Sequence, residues 1–584
     1  MLRPKDYPLV GAMVQDSGEM PVRDFDDQTD IIIVGGGTAG CVLASRLSET
    51  PTTRILLIEA GNGSRDASEP PEIADARLRT FFRPELFWPG MTAKLLTGVN
   101  GARDTRLFQA RVLGGGASVN GMHAQRGFPE DYDGWSDLVS GWSWQHVLPY
   151  FIKLENSDTT RGPAHGNEGP IRLHQVPREQ WSKLSLAIAD AFAARNVPYS
   201  EDTNTDTGPS YGPLQLNMHG SQRVSAASGY LTAAVRARSN LRILSETEVS
   251  RLIVEHRRVL GVEARSRSGV VKISARHTVV CAGGLLSPSL LLRSGIGPAA
   301  DLHARGIEVI ADRRGVGRNL QTHPMFNLTV TLRGRGRQTG QCIPASTMIA
   351  RYSSGISGCQ HSDMILNVWE RVTAPNARHP LGTWLANLQV IVNKPTSVGA
   401  VRLGNDAAIT PSVQLDFCSD PRDVERLVSG VRLVHSILSE APLRKLTNET
   451  LWVRPTRAYG LLMQPGRLAE LLSIAGTPVM AGPGPLRRAI LSRFGVLLTK
   501  DMVTSNELDQ LVKLGMVMAS HFVGTCRLGR VDDPDAVVDE KCQVIGVEGL
   551  SVVDASIFPS LMRAGTSLPV IMAAEKAADI LRHA

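Results

Sequence analysis

Asp30 is followed by Ile31-Ile32-Ile33-Val34 and then by Gly35-Gly36-Gly37-Thr38-Ala39-Gly40, and this junction constrains the chain more than any other stretch. A continuous run of β-branched residues predicts a strand buried on both faces of a parallel sheet. Gly35, Gly37 and Gly40 fit G-x-G-x-x-G, and Cys41 to Leu47 carries a helical pattern that stops near Ser48. A second apolar strand, Ile55 to Ile58, ends in Glu59, about 20 residues past the last glycine, where a ribose-binding acid belongs. The set predicts a βαβ dinucleotide-binding unit. Gly35 permits the turn, Gly37 lets a pyrophosphate approach the backbone, and Gly40 lets helix and strand pack closely. The helix N-terminus presents open N–H groups and a positive dipole end to phosphate. Glu59 accepts from both ribose hydroxyls and repels a 2′-phosphate, which selects FAD or NAD over NADP.

At 584 residues the chain exceeds one hydrophobic core, so roughly two to four domain-sized units are expected. Hydrophobic residues make up 42% and charged residues 20%, an ordinary globular balance that excludes a collagenous or disordered polymer. The net charge of +7 and pI near 9.1 come mostly from scattered Arg, so no nucleic-acid footprint is expected. Seven widely spaced cysteines without a C-x-x-C pair predict a reducing compartment and no metal site. Residues 1–28 lack an apolar signal core, and no stretch offers about 18 uninterrupted apolar residues. Cytoplasmic residence is the expectation.

Further blocks make the reading specific. Ala110-Arg111-Val112-Leu113-Gly114-Gly115-Gly116-Ala117-Ser118-Val119-Asn120-Gly121-Met122 closely resembles the first signature of the glucose-methanol-choline family of alcohol oxidases and dehydrogenases. Gly283 to Gly297 looks like its second signature, and His521-Phe522-Val523-Gly524-Thr525-Cys526 and Val552-Val553-Asp554-Ala555-Ser556 are similar to its carboxy-terminal active-site blocks. Shorter echoes are DYDGW at Asp131, HGNEGP at His165, GVGRNLQ at Gly315 and KPTSVGAVRL at Lys394, so the likeness runs from about Asp30 to the end.

The resemblance implies an α/β fold, α+β overall. A Rossmann-like FAD-binding domain (28–160, 220–325 and 535–584) joins a discontinuous substrate-binding domain (161–219 and 326–534) built on an antiparallel sheet with flanking helices, after an N-terminal extension (1–27). Leu241 to Leu244 and His277 to Cys281 read as nucleotide-sheet strands, and Val401 to Leu403 with Val413 to Phe417 as half-buried antiparallel strands. The FAD contacts it implies fall on Gly35, Gly37, Thr38, Ala39, Gly40, Glu59 and Ala60. They continue through Arg111, Leu113, Gly114, Gly115, Ser118, Asn120, Gly121 and Met122, then Val249, Asp554, Ala555 and Thr566. A helix from Ser567 points its N-terminus at the flavin's pyrimidine edge, and Val119, where relatives with covalent flavin carry His, implies noncovalent FAD.

The chemistry implied is oxidation of a CH–OH group, hydride passing to flavin N5 while a base takes the hydroxyl proton. Among 14 histidines, His521 is the candidate base, with an ordinary pKa near neutrality. The family's second His or Asn falls six residues after the proline of the D-A-S block, and that count from Pro559 reaches Gly565. Either Arg563, Thr566 or Ser567 takes over the contact, or His521 acts alone. A redox-neutral reaction of the hydroxynitrile lyase type, or another non-oxidative reaction, is the alternative that Gly565 raises. The partners expected are a small-molecule alcohol and oxygen or another electron acceptor. Leu486, Ile490, Phe494 and Leu497 recur at helical spacing beside Arg487, Arg488 and Arg493, which reads as a lid or core helix, or as a basic amphipathic helix on a membrane surface.

Overall fold

The computed structural model describes residues 29–63, 69–98, 101–337, 344–372, 380–404, 410–456, 461 and 466–583. The 1–27 extension lies outside the described residues.

Five parallel strands form the first sheet, in the order Leu241–Leu244, Ile55–Ile58, Ile31–Val34, His277–Val280 and Leu550–Val552. Their members come from remote parts of the sequence. The apolar runs Ile32 to Val34 and Ile55 to Ile58 are fully buried, as strands covered on both faces must be. Helix Thr38–Leu47 packs against the last helix, Ser567–Arg582. Buried Glu575 of that helix accepts hydrogen bonds from Arg46 and Tyr230, so its charge is paired where water cannot reach.

The second sheet has eight strands. Its main path runs Gly495–Leu497, Thr447–Val453, Pro324–Leu332, Leu385–Val392, Met364–Trp369, Met348–Tyr352 and Ser210–Pro213, and Val517–Met518 pairs beside Pro324. Phe326, Leu328, Ala386, Leu388, Val390 and Leu366 point to one face, where helix Pro421–Leu438 covers them with Leu427 and Val431. The alternate residues Asn327, Gln389 and Asn367 are paired across neighbouring strands on the other face. A separate four-stranded sheet joins Thr92–Leu96 and Ala102–Arg106 to Ser412–Asp416 and Ala400–Arg402. Segments expected in different domains therefore share it.

The H-G-N-E-G-P stretch has a structural task. His165 Nδ1 lies 2.7 Å from Glu155 Oε1 and its Nε2 lies 2.8 Å from Asp202, while Arg126 pairs with Glu155. Burial opposes the imidazolium, but hydrogen bonds to Asp202 and Glu155 outweigh it and raise the His165 pKa from 6.5 to about 9. A group raised on folding contributes stability that is complete below its unfolded pKa and is lost as pH rises through the folded one. Between pH 7 and 10 the unfolding midpoint of the native chain should therefore fall more steeply than that of His165→Gln. Parallel curves would refute this assignment.

Candidate active site

A cavity opens at the carboxyl ends of the parallel strands, the place where such sheets bind ligands. Of the expected cofactor residues, Gly35, Gly37, Thr38, Ala39, Glu59, Ala60, Gly115, Val249, Asp554, Ala555 and Thr566 line it. Glu59 is buried, with Oε2 accepting from Gly36 N at 2.8 Å and Oε1 from Gly61 N at 2.7 Å. Burial raises its pKa despite those two bonds. A carboxylate has further lone pairs for ribose hydroxyls. A Cβ on Gly115, at φ +54°, would stand 2.7 Å from Gly37 Cα, so the two glycine loops meet backbone to backbone. Gly40 packs closer still, a Cβ there meeting Gly35 O at 1.9 Å. Helix Thr38–Leu47 has no side-chain N-cap, which leaves its first N–H groups for a diphosphate. These features fit a dinucleotide.

Eight expected contact residues lie outside the cavity lining. Gly40 sits behind it, and Leu113 and Gly114 touch Gly36 instead. Ser118 Oγ donates to Leu113 O and fixes the loop, and Arg111 lies over the Trp88 ring near Glu248. Asn120 Oδ1 accepts from Met122 N and Arg223, while Gly121 faces Trp369 and His123. The second signature supplies lining residues that had not been assigned as contacts, Gly283 and Gly284. Asp554 accepts from Gly283 N and Ser287 Oγ, which ties that turn to the carboxy-terminal block.

His521 stands between two lining residues, Ser520 and Phe522, and Ser520 adopts φ +58° to turn the chain there. Gln321 and Val523 exchange backbone hydrogen bonds, Ala519 N donates to His323 O, and His521 N donates to Thr322 Oγ1. This zipper brings the rings of His323 and His521 together at 88°, with their Nδ1 atoms 2.7 Å apart. His323, two residues past the G-V-G-R-N-L-Q block, is not among the site residues that the resemblance implies.

The tautomers follow from the acceptors. His323 Nε2 lies 3.1 Å from Asn393 O and 3.2 Å from Met562 O, and carbonyls only accept, so this nitrogen carries a proton. Burial, then the neighbouring His521, holds the His323 pKa well below its usual value, so the ring is neutral and its Nδ1 is an acceptor. His521 Nδ1 must donate to it, which leaves the lone pair on His521 Nε2. That atom is the one facing Gly565, whose Cβ position lies 3.7 Å away. Burial pushes the His521 pKa down to about 4, against the near-neutral value expected from residue type.

Position 565 thus lies opposite His521, as the count from Pro559 implies. Arg563 does not take over the missing contact. Its side chain is buried and committed to Asp131, Glu130 and His361 O. Thr566 belongs to the cofactor cavity. His123 lies within electrostatic reach of His521: burial first, then its coupling to His521, lowers its pKa to about 4, and its buried Nε2 has no hydrogen-bond partner among the described residues. The ring lies 6.0 Å from that of Trp369. Trp369 Nε1 donates to Gln389, which also bonds Asn367 and Asn327, giving a fixed uncharged row.

The sequence matches the GMC oxidoreductase profiles over residues 29–325 and 395–574. It is 38% identical to 5-(hydroxymethyl)furfural oxidase of Methylovorus sp. (strain MP688), over 94% of this chain and 98% of that protein. It is 30% identical to the mitochondrial choline dehydrogenase of Homo sapiens, over 95% and 90%. The crystal structure of pyridoxine 4-oxidase from Mesorbium loti superposes with a TM-score of 0.78 at 28% identity, covering 95% of this chain and all of that one (100%). These relatives are named as oxidases and dehydrogenases, and they lend the lyase alternative no support. With both profiles matched and relatives this similar along nearly the whole chain, the protein belongs to the GMC oxidoreductase family and is an FAD-dependent oxidoreductase.

Proposed function

We propose that the chain oxidises the CH–OH group of a small alcohol, with His521 Nε2 taking the hydroxyl proton and FAD held noncovalently along the glycine cradle. The observation that carries this reading is the His323–His521 contact, because it puts a lone pair on the nitrogen that faces Gly565. FAD, when bound, supplies the hydride acceptor. The chain's own groups bind the alcohol, move its proton and hold the charge that results. Once protonated, His521 keeps its Nδ1–H bond to His323, and Asn393 O and Met562 O hold His323 in the accepting tautomer. The open N-terminal turn of helix Ser567–Arg582, beside Thr566 and Val570 in the cavity wall, favours negative charge on the cofactor.

His123 stands in for the residue missing at 565, as the second hydrogen-bond partner of the alcohol oxygen. Losing it should cost roughly tenfold or more in kcat/KM, the range for a transition-state hydrogen bond. Gly565 adopts a backbone conformation open to other residues, and its Cβ position makes only ordinary contact with His521. His123→Ala should therefore be partly rescued by Gly565→Asn, and steady-state kinetics of the single and double variants check it. An unchanged kcat/KM in His123→Ala would remove His123 from the site.

Trp369 and the row Asn327, Gln389 and Asn367 favour a flat substrate with hydrogen-bonding substituents, and none of these side chains is charged. The compound named for the 38% identical relative, 5-(hydroxymethyl)furfural, fits that description and is the first to try. We expect it to bleach the flavin under anaerobic conditions where choline at the same concentration does not. The reverse order would overturn this substrate class.

A further inference from the structure

Helix Arg467–Ala481 is apolar on the side that the fold leaves open. Its inner residues Ala469, Ser473 and Met480 are buried, and Met480 packs with Leu491 of helix Gly484–Phe494 against Trp384 and Leu451. Ser473 Oγ accepts from Leu381 N and pins that face. Its outer residues Leu468, Leu471, Leu472 and Ile474 are 59, 63, 40 and 50% exposed, and Leu486 on the next helix is 54% exposed. Side chains three and four apart share a helix face, so Leu468, Leu471 and Leu472 form one stripe. A contiguous exposed stripe of this kind marks an interaction surface more than scattered single leucines would.

The sequence expectation placed an amphipathic surface one helix later, at Leu486, Ile490, Phe494 and Leu497. The structure turns Leu491 inward and pairs Leu497 with Leu451 as a strand, so the open apolar ridge belongs mainly to Arg467–Ala481.

Charge identifies what covers the ridge. Between residues 454 and 500 the sequence holds seven basic residues and one acid, Glu470, so most of the chain's net charge of +7 sits on this stretch. Arg487 is buried and tied to Glu449, which also lies 3.7 Å from Arg488, while Arg467, Arg488 and Arg493 are exposed on the same two helices as the leucines. A second copy of the chain fits poorly, because a two-fold contact would set like charge against like. Leucines rimmed by arginines suit an anionic bilayer surface, the apolar stripe entering the acyl boundary while guanidinium groups meet lipid phosphates. Among the described residues no helix is long and apolar enough to cross a membrane, so such a contact is interfacial. We propose that the ridge formed by Arg467–Ala481 and Gly484–Phe494 is a peripheral docking surface for anionic lipid bilayers.

The test is cosedimentation of the full-length, FAD-loaded protein with vesicles, read by protein content. Vesicles of phosphatidylcholine alone are compared with vesicles that also contain phosphatidylglycerol, at low and high salt. Binding is expected to the anionic vesicles only and to weaken with salt. The triple variant Leu468→Ser, Leu471→Ser, Leu472→Ser and the double variant Arg488→Gln, Arg493→Gln should each lower it roughly tenfold or more, with alcohol-dependent flavin bleaching intact. The proposal is overturned if the native protein ignores anionic vesicles or if both variants bind as it does. A concentration-dependent dimer that the leucine variant abolishes would also overturn it, by assigning the ridge to a second copy.

Discussion

Alanine at position 521 is expected to slow anaerobic flavin reduction by roughly a hundredfold or more, the contribution of a positioned general base. FAD content should stay near native, because Ser520 and Phe522 line the cofactor cavity and the His521 ring does not. Of the described groups nearby, His123 alone keeps a free ring nitrogen, and its proposed part is to hold the alcohol oxygen, not to take the proton. Gly565 offers no side chain, Arg563 is engaged by Asp131, and His323 has its only free lone pair pointed at His521 itself. Rapid mixing with an alcohol gives the reduction rate directly, and a native rate in this variant would contradict the assignment.

The largest stability effect is expected at Asp131, the acid of the D-Y-D-G-W block. Its carboxylate accepts from Arg563 N at 2.8 Å, Arg563 Nε at 3.2 Å, Lys394 Nζ at 3.0 Å and Phe128 N at 3.2 Å. Burial works against its charge, but Lys394 and Arg563 outweigh burial and hold its pKa below 3.8. The pairing therefore stabilises the fold above the ordinary carboxylate range and is lost as pH falls through the depressed value. Asp131→Ala leaves buried Arg563 with Glu130, half-exposed at 3.2 Å, as its remaining carboxylate among the described residues, beside the neutral His361 O. Breaking a buried pair in this way costs about 3–5 kcal/mol. Because Arg563 lies two residues from Gly565, FAD affinity and alcohol KM should suffer together. Denaturant unfolding followed by tryptophan fluorescence measures the loss, and a change under about 1 kcal/mol would show that the charges relax into solvent.

The parts legible in the sequence were those written locally. The strand Ile31–Val34, the glycine turn and Glu59 lie within one βαβ unit, and their periodicity needs no other segment to be read. Leu241–Leu244 and His277–Val280 also fall into the parallel sheet, as their apolar runs predict. The family resemblance, which implies a second His or Asn six residues after Pro559, was enough to put Gly565 opposite His521. What stayed hidden depends on contacts between remote segments. His323 became visible as a partner only through the pairing of Gln321 with Val523, which no local pattern encodes. His123 directly follows the first signature and is not among the residues the resemblance implies; what singles it out is a buried nitrogen without a partner among the described residues. Arg563 was a reasonable substitute by position, yet Asp131, far earlier in the chain, claims it. The depressed pKa of His521 is likewise a property of its enclosure and not of residue type.

The account rests on a neutral His521 whose Nε2 receives the substrate proton. It is tested most directly by anaerobic flavin reduction in the native protein after rapid jumps to pH values between neutrality and strong acid. The rate should hold a plateau and fall only as pH approaches about 4, where His521 takes up its own proton. A fall centred on the ordinary histidine value of about 6.5, or a flavin that the alcohol never bleaches, would contradict it.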